Sequence, residues 1–287
     1  MRRLLVGEAH WVRDRCTVRT IIARREGMDF DDNPFRAPAS RVADDERTAL
    51  GTFLPEGRLV PAGRGYHWLL RGWELFRVAP GTWIGIAVAF MVLIIVVSMI
   101  PLLNVTANLL IPVFIGGICV GCRSIEEGQG IRFIHLFAGF LCQPGRLLLV
   151  GLLYLVALLI LAVVFGIVAT LSGIAAKGSG GAEGWAASWT ELVSILAMVL
   201  VFAPLAMAVW LAPPLVVFNG LTAWQAVRTG LVVALRNFPP FLVFGILVVV
   251  ASVIASLPLL LGWLLLLPVL YASIYAAYRD LFFSELQ

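Results

Sequence analysis

Cys119 and Cys122 stand at C-x-x-C spacing, and His135 and Cys142 follow within one connecting segment. A tetrahedral zinc site takes four such ligands around one point, so this is the most metal-like constellation in the sequence. Both thiols of the pair, however, lie inside the apolar run "GGICVGC". There a small cysteine acts as an apolar side chain, and packing is its expected role. No metal and no other cofactor is expected. His10 and His67 stand alone and read as surface polar groups. G-x-S-x-G, H-E-x-x-H, the phosphate-binding loop and G-x-G-x-x-G do not occur.

A second chemical pattern is the stripe Tyr271, Tyr275 and Tyr278, spaced i, i+4 and i+7 on one helical face. Tyr278 reads as an aromatic at the membrane–water boundary, and the deeper Tyr271 needs a partner for its hydroxyl. Beside the stripe, Ser273 and Ala277 correspond to Gly117 and Gly121 of the similar stretch "LIPVFIGGICVGCRS". Small residues four apart let membrane helices approach closely, so both stretches read as packing faces rather than ligand sites.

The elements that position these residues follow from composition. The chain of 287 residues is 61% hydrophobic and 13% charged, with a mean hydropathy of +0.96. Ordinary soluble domains are roughly 45–50% apolar and 25% charged, so this is a membrane composition. The charge is segregated: 12 of the 21 basic and 10 of the 17 acidic residues fall within 1–64. Residues 1–63 therefore read as a disordered cytoplasmic tail, and 64–287 as a transmembrane domain. The tail has basic residues but no apolar core or cleavage site of a signal peptide. Its first 27 residues, with seven arginines, read as a non-native extension, with Met28 as the natural start. The net charge of +4 suits an anionic membrane surface, and nucleic acid is not an expected partner.

A spanning helix needs roughly 20 mostly apolar residues. Six candidates qualify, about Thr82–Pro101, Leu103–Cys122, Leu147–Gly173, Val193–Val217, Phe241–Leu260 and Leu261–Tyr278. No ionisable residue falls in the middle of any of them, which argues against proton-coupled transport, voltage sensing and intramembrane proteolysis. The arginines of the domain all fall on one side of the six spans, and only Lys177 falls on the other. By the positive-inside rule both termini are cytoplasmic. Arg77, Arg123, Arg146, Arg236 and Arg279 stand at the cytoplasmic ends of spans, where anionic lipid headgroups are their expected partners. Asp280 is expected to pair with one of these five.

The domain also repeats. Arg77/Pro80 and Arg236/Pro239 each place an arginine three residues before a proline that opens a span. Pro112/Arg123 and Pro268/Arg279 each place one eleven residues after a proline inside a return span. A weaker middle copy opens at Pro144 and returns through Pro213 and Pro214, with the insert "GIAAKGSGGAEGWAASWT" at its tip. Each copy begins with an amphipathic stretch: "YHWLLRGWELFRV", "IRFIHLFAGFL" and "AWQAVRTGLVVALRN". The expected fold is all-α, a six-helix transmembrane bundle of three parallel helical-hairpin repeats at about 64–124, 125–220 and 221–283. An interfacial amphipathic helix precedes each hairpin.

"NPFRAP", "VPAGRGYHWLLRGWELFR", "HLFAGF", "LAPPLVVFNGL" and "LLPVLYASIYAAYRDLF" together resemble a proteobacterial family of multi-pass inner-membrane proteins. The resemblance runs from about Met28 to Phe283. It implies an inner-membrane location and this architecture, and carries over no activity and no catalytic residue. The expected role is that of a non-enzymatic structural or accessory membrane protein, acting through helix packing and lipid contacts; whether it has a membrane-protein partner is left open by the sequence. The alternative is a carrier of an apolar or lipid-like substrate, which a cavity at the centre of the bundle would favour.

Overall fold

The computed structural model describes residues 53–99, 101–178, 185–257 and 262–284. The expected tail over 1–52 and its start at Met28 lie outside the described residues. The described chain is helical, without a named strand. Its helices are α1 (Arg64–Val78), α2 (Pro80–Ser98), α3 (Pro101–Glu126), α4 (Ala138–Leu141), α5 (Pro144–Gly178), α6 (Trp185–Asn219), α7 (Ala223–Arg236), α8 (Phe238–Ser256) and α9 (Trp263–Phe282). A 3-10 turn, Phe133–Phe137, leads into α4.

Six of these helices, α2, α3, α5, α6, α8 and α9, are long and apolar enough to cross a membrane. Prolines mark several starts. Pro80 opens α2, and Pro239 and Pro240 stand in the first turn of α8, where a missing N–H costs no helical bond. Proline also sits inside α3 at Pro112, inside α9 at Pro268 and inside α6 at Pro204, Pro213 and Pro214. Neighbouring helices make such interruptions tolerable in a membrane.

Two boundaries differ from the expected ones. α3 continues to Glu126 and α9 to Phe282, so Arg123 and Arg279 belong to last helical turns, where a cation meets the negative end of the helix dipole. The insert expected at the middle tip is largely helical. α5 and α6 take up all but residues 179–184 and run 35 residues each. Alanines in "GIAAKG" and "WAASW" are compatible with helix through both extensions. Each then measures about 52 Å, against roughly 30 Å of hydrocarbon.

Burial distinguishes two central helices from four outer ones. The spanning windows of α3 and α9 are 67% and 61% buried, and the other four are 12–22% buried. α9 packs against α1, α2, α3, α6 and α8, while α3 receives α2, α4, α5, α6 and the 3-10 turn. The core between them holds Trp68, Trp83, Phe114, Leu215, Tyr275 and Tyr278, all buried.

Residues 53–63, assigned above to the tail, form a strap along the end of α9. Phe53 and Phe283 form an antiparallel bridge, Leu54 N donates to Phe282 O at 2.8 Å, and Arg58 N donates to Leu281 O at 2.8 Å. Leu54 to Gly57 is a turn closed by Gly57 N donating to Leu54 O at 3.0 Å, with Pro55 and Gly57 where a type I turn favours them. Gly57 has φ +66°, and a Cβ there would lie 2.6 Å from the Val233 side chain, so both backbone and space call for glycine.

Candidate functional site: the arginine-bearing end

The ends of α3, α6 and α9, the starts of α2, α5 and α8, and the strap meet at one end of the bundle. Its most connected group is Asp280, whose side chain is 5% exposed. Arg64 donates to it through Nε at 2.8 Å and Nη2 at 2.5 Å, Trp68 donates through Nε1 at 2.7 Å, and Arg58 donates through Nη2. Arg58 Nε also donates to the Asp280 carbonyl at 2.5 Å. The carboxylate thus has two guanidinium partners and an indole, as a buried charge requires. Asp280 does not pair with any of the five span-end arginines; its partners lie in the strap and α1. The reason is reach. α1 lies across α9, and Gly72 allows this: a Cβ there would lie 2.3 Å from Ser273 Oγ and 2.6 Å from Val269 O.

Asn237, between α7 and α8, secures the same strap. Its Oδ1 accepts from Val60 N at 2.9 Å, and its Nδ2 donates to Arg58 O at 3.1 Å and Val233 O at 3.0 Å. Glu126 is the third junction. It accepts from Arg71 Nη2 at 3.2 Å, Tyr275 Oη at 2.7 Å and Arg279 Nη1 at 3.1 Å, joining α1, α3 and α9. Tyr278 Oη donates to Asn219 Oδ1 at 2.5 Å.

The five span-end arginines divide into two groups. Arg123 Nε donates to Glu127 at 2.8 Å, and its guanidinium lies 5.6 Å from the Phe218 ring centre. Arg146 Nη1 donates to Gly220 O at 2.7 Å and to Gln143 at 2.9 Å. Arg279 is held by Glu126 and lies 5.3 Å from the Phe283 ring centre. Arg77 and Arg236, in the last turns of α1 and α7, are exposed and make no side-chain hydrogen bond or ion pair to a described residue.

Tyr275 and Tyr278 of the tyrosine stripe are interior, and Tyr271 is partly buried. Tyr278 is 1% exposed, stacked on Phe218 with ring centres 5.7 Å apart, and so does not face headgroups as a belt aromatic would. Tyr271 packs edge-on against Phe90 at 5.6 Å. Cys119 and Cys122 are fully buried in the apolar core. His135 is buried as well, its Nδ1 accepting from Arg132 N at 2.9 Å. Among the described residues, no three His, Cys, Asp or Glu side chains are grouped so that they could hold a metal. Gly117 and Gly121 do not face another span. They receive the segment 131–139: a Cβ on Gly117 would lie 2.5 Å from His135 O, and one on Gly121 3.1 Å from Ile131 Cδ1.

No pattern in the sequence marks out Arg58, Arg64, Asn219, Asn237 or Glu126. The turn residues Pro55, Gly57, Pro61 and Gly63 were the available sign that the strap is ordered.

A protein of Burkholderia thailandensis named probable inner membrane protein is 26% identical over 258 residues, covering 78% of this chain and 92% of its own length. No family model matches the chain, and no solved structure matches it. Together with the six apolar helices, that similarity makes this a transmembrane protein of the inner-membrane kind.

Proposed function

We propose that this is a non-enzymatic structural or accessory protein of the bacterial inner membrane, built as a closed ring of three helical-hairpin units with both termini cytoplasmic. The observation that carries the reading is how the short helices dock. α1, which opens the first unit, packs on α9, the return helix of the last. The 3-10 turn and α4, opening the second unit, pack on α3, the return helix of the first. α7, opening the third, packs on α6, the return helix of the second. Glycines mediate all three crossings. Gly72 meets Val269, Gly139 meets Val113 and Gly230 meets Ala208, with added Cβ atoms 2.6, 1.9 and 2.7 Å from the respective carbonyl oxygens. Val113 and Val269 each follow the proline inside a return helix, so the two outer crossings share a register.

The opposite faces of the short helices support an interfacial position. Tyr66, Leu70 and Trp73 on α1, Phe133, Phe137 and Phe140 near α4, and Trp224 and Leu235 on α7 are exposed. Aromatic side chains of this kind sit at headgroup level. The faces are not divided simply into apolar and charged. Trp68, Leu75 and Phe76 turn into the protein, while Trp73 turns outward.

Asp280 and Glu126, the two most connected acids at this end, accept hydrogen bonds that join helices. The crevice between Trp83, Ile86, Phe90, Ile118, Pro268 and Tyr271 is too tight for a water molecule. Both features favour a packed scaffold over the alternative, a carrier of an apolar or lipid-like substrate. The test uses the native thiols. In the full chain reconstituted into vesicles, Cys119 and Cys122 are expected to resist a water-soluble maleimide from either side, as read by peptide mapping. Labelling of either would show a centre that opens and would replace the scaffold reading with the carrier.

A further inference from the structure

We propose that Arg77 and Arg236 each hold the phosphate of an anionic phospholipid, one at each outer unit, and that Arg123, Arg146 and Arg279 do not. The inference rests on the membrane position argued under Proposed function and adds which cations meet lipid. Arg123, Arg146 and Arg279 already donate to Glu127, to Gly220 O and Gln143, and to Glu126. Arg77 and Arg236 are exposed, and neither has a hydrogen-bond or ion-pair partner among the described residues. They occupy corresponding places, in the last turn of a short helix and three residues before a proline in the first turn of a span.

The surroundings determine the kind of partner. Beside Arg77, Glu74 is taken by Arg71, at 2.8 Å. Around Arg236, neither α7 nor α8 contains an acidic residue, so the charge is uncompensated along both helices. Apolar groups flank both cations. Trp73 and Val78 are exposed beside Arg77, and Leu235 and Phe238 beside Arg236. Each set continues into a span whose outer face is exposed and apolar, through Ile84 and Val88 on α2 and through Leu242 and Ile246 on α8. A cation at the top of an apolar, aromatic-flanked surface complements a lipid: the guanidinium donates to the phosphate while the chains lie along the span. A soluble acidic partner would match the charge and leave the apolar continuation uncovered. The middle unit departs from this pattern. Leu141 stands three residues before Pro144, and Arg146 is tied to Gly220 O. The arrangement therefore yields two sites rather than three.

Native mass spectrometry of the full chain with added phosphatidylglycerol tests the count. The unaltered protein is expected to retain two phosphatidylglycerols in preference to phosphatidylcholine. Arg77→Gln and Arg236→Gln should each remove one, with binding at the altered site weakened about fivefold, the factor one basic residue contributes near an anionic surface. Arg123→Gln and Arg146→Gln should keep both. Two phosphatidylglycerols retained by the R77Q/R236Q double variant would overturn the proposal. An unaltered protein with no preference for phosphatidylglycerol would overturn it without any variant, and displacement of the lipid by inorganic phosphate would reassign the sites to a free anion. The thiol-labelling test is independent of lipid count, so failure of the scaffold reading and failure of these sites are distinguishable.

Discussion

Asp280 is a buried carboxylate in the last turn of the last helix, and its partners lie more than two hundred residues earlier in the chain. Replacing Asp280 by Asn keeps the shape and removes the charge that Arg58 and Arg64 face. Breaking a buried pair from one side costs about 3–5 kcal/mol. The two arginine side chains are 27% and 32% exposed, so water can recover part of the loss, and about 2–3 kcal/mol is expected. The measurement is thermal unfolding of the purified chain, with Arg236→Gln as a control that should stay within about 0.5 kcal/mol, as surface changes usually do. Equal stability of D280N and the unaltered protein would show that the strap is not held through this carboxylate. Asn237→Ala removes the side-chain acceptor and donor that satisfy Val60 N and Arg58 O of the same strap, and a loss of about 1–3 kcal/mol is expected by the same assay.

The short helices reach the return helices only where a side chain is missing, and this makes the crossings testable one at a time. An alanine Cβ would lie 1.9 Å from Val113 O at Gly139, 2.3 Å from Ser273 Oγ at Gly72 and 2.7 Å from Ala208 O at Gly230. Overpacking of this kind costs about 1–3 kcal/mol, and the loss should rank Gly139→Ala above Gly72→Ala above Gly230→Ala. Gly81→Ala and Gly145→Ala meet nothing within 4 Å and should be neutral. Equal effects at all five positions would dissociate stability from these approaches. The spans themselves were legible in the sequence because an apolar run of this length has few alternatives to a membrane helix. The course of 53–63 was not, because polar composition signals a tail unless its distant partners are known. The burial of Tyr278 was hidden for a related reason. Position along a helix indicates depth, but only the neighbours, here Phe218 and Phe282, decide whether a tyrosine faces lipid or protein.

Across the whole molecule, the proposed direction of insertion rests on where charge is concentrated. Glu126, Asp280, Asn237 and the five span-end arginines share one end, and the described part of the bundle between the ends is apolar. Long apolar spans flanked by arginine on one side retain that side in the cytoplasm, because moving a guanidinium across hydrocarbon is costly. The same end carries the exposed aromatics of α1, the 131–141 segment and α7, so the short helices and the arginines make the same demand on orientation. Reporter fusions after Gln287 and at Arg132 should therefore report cytoplasm, and a fusion within 179–184 should report periplasm. The 179–184 fusion is the stringent one, since α5 and α6 are far longer than a span needs and their tip must clear the membrane on the side away from Arg146. A cytoplasmic signal there would make the middle hairpin re-entrant and reduce the spans to four. A periplasmic signal after Gln287 would instead detach α9 from the arginine-bearing end, contradicting the pairing of Asp280 with Arg58 and Arg64 on which the proposed ring closes.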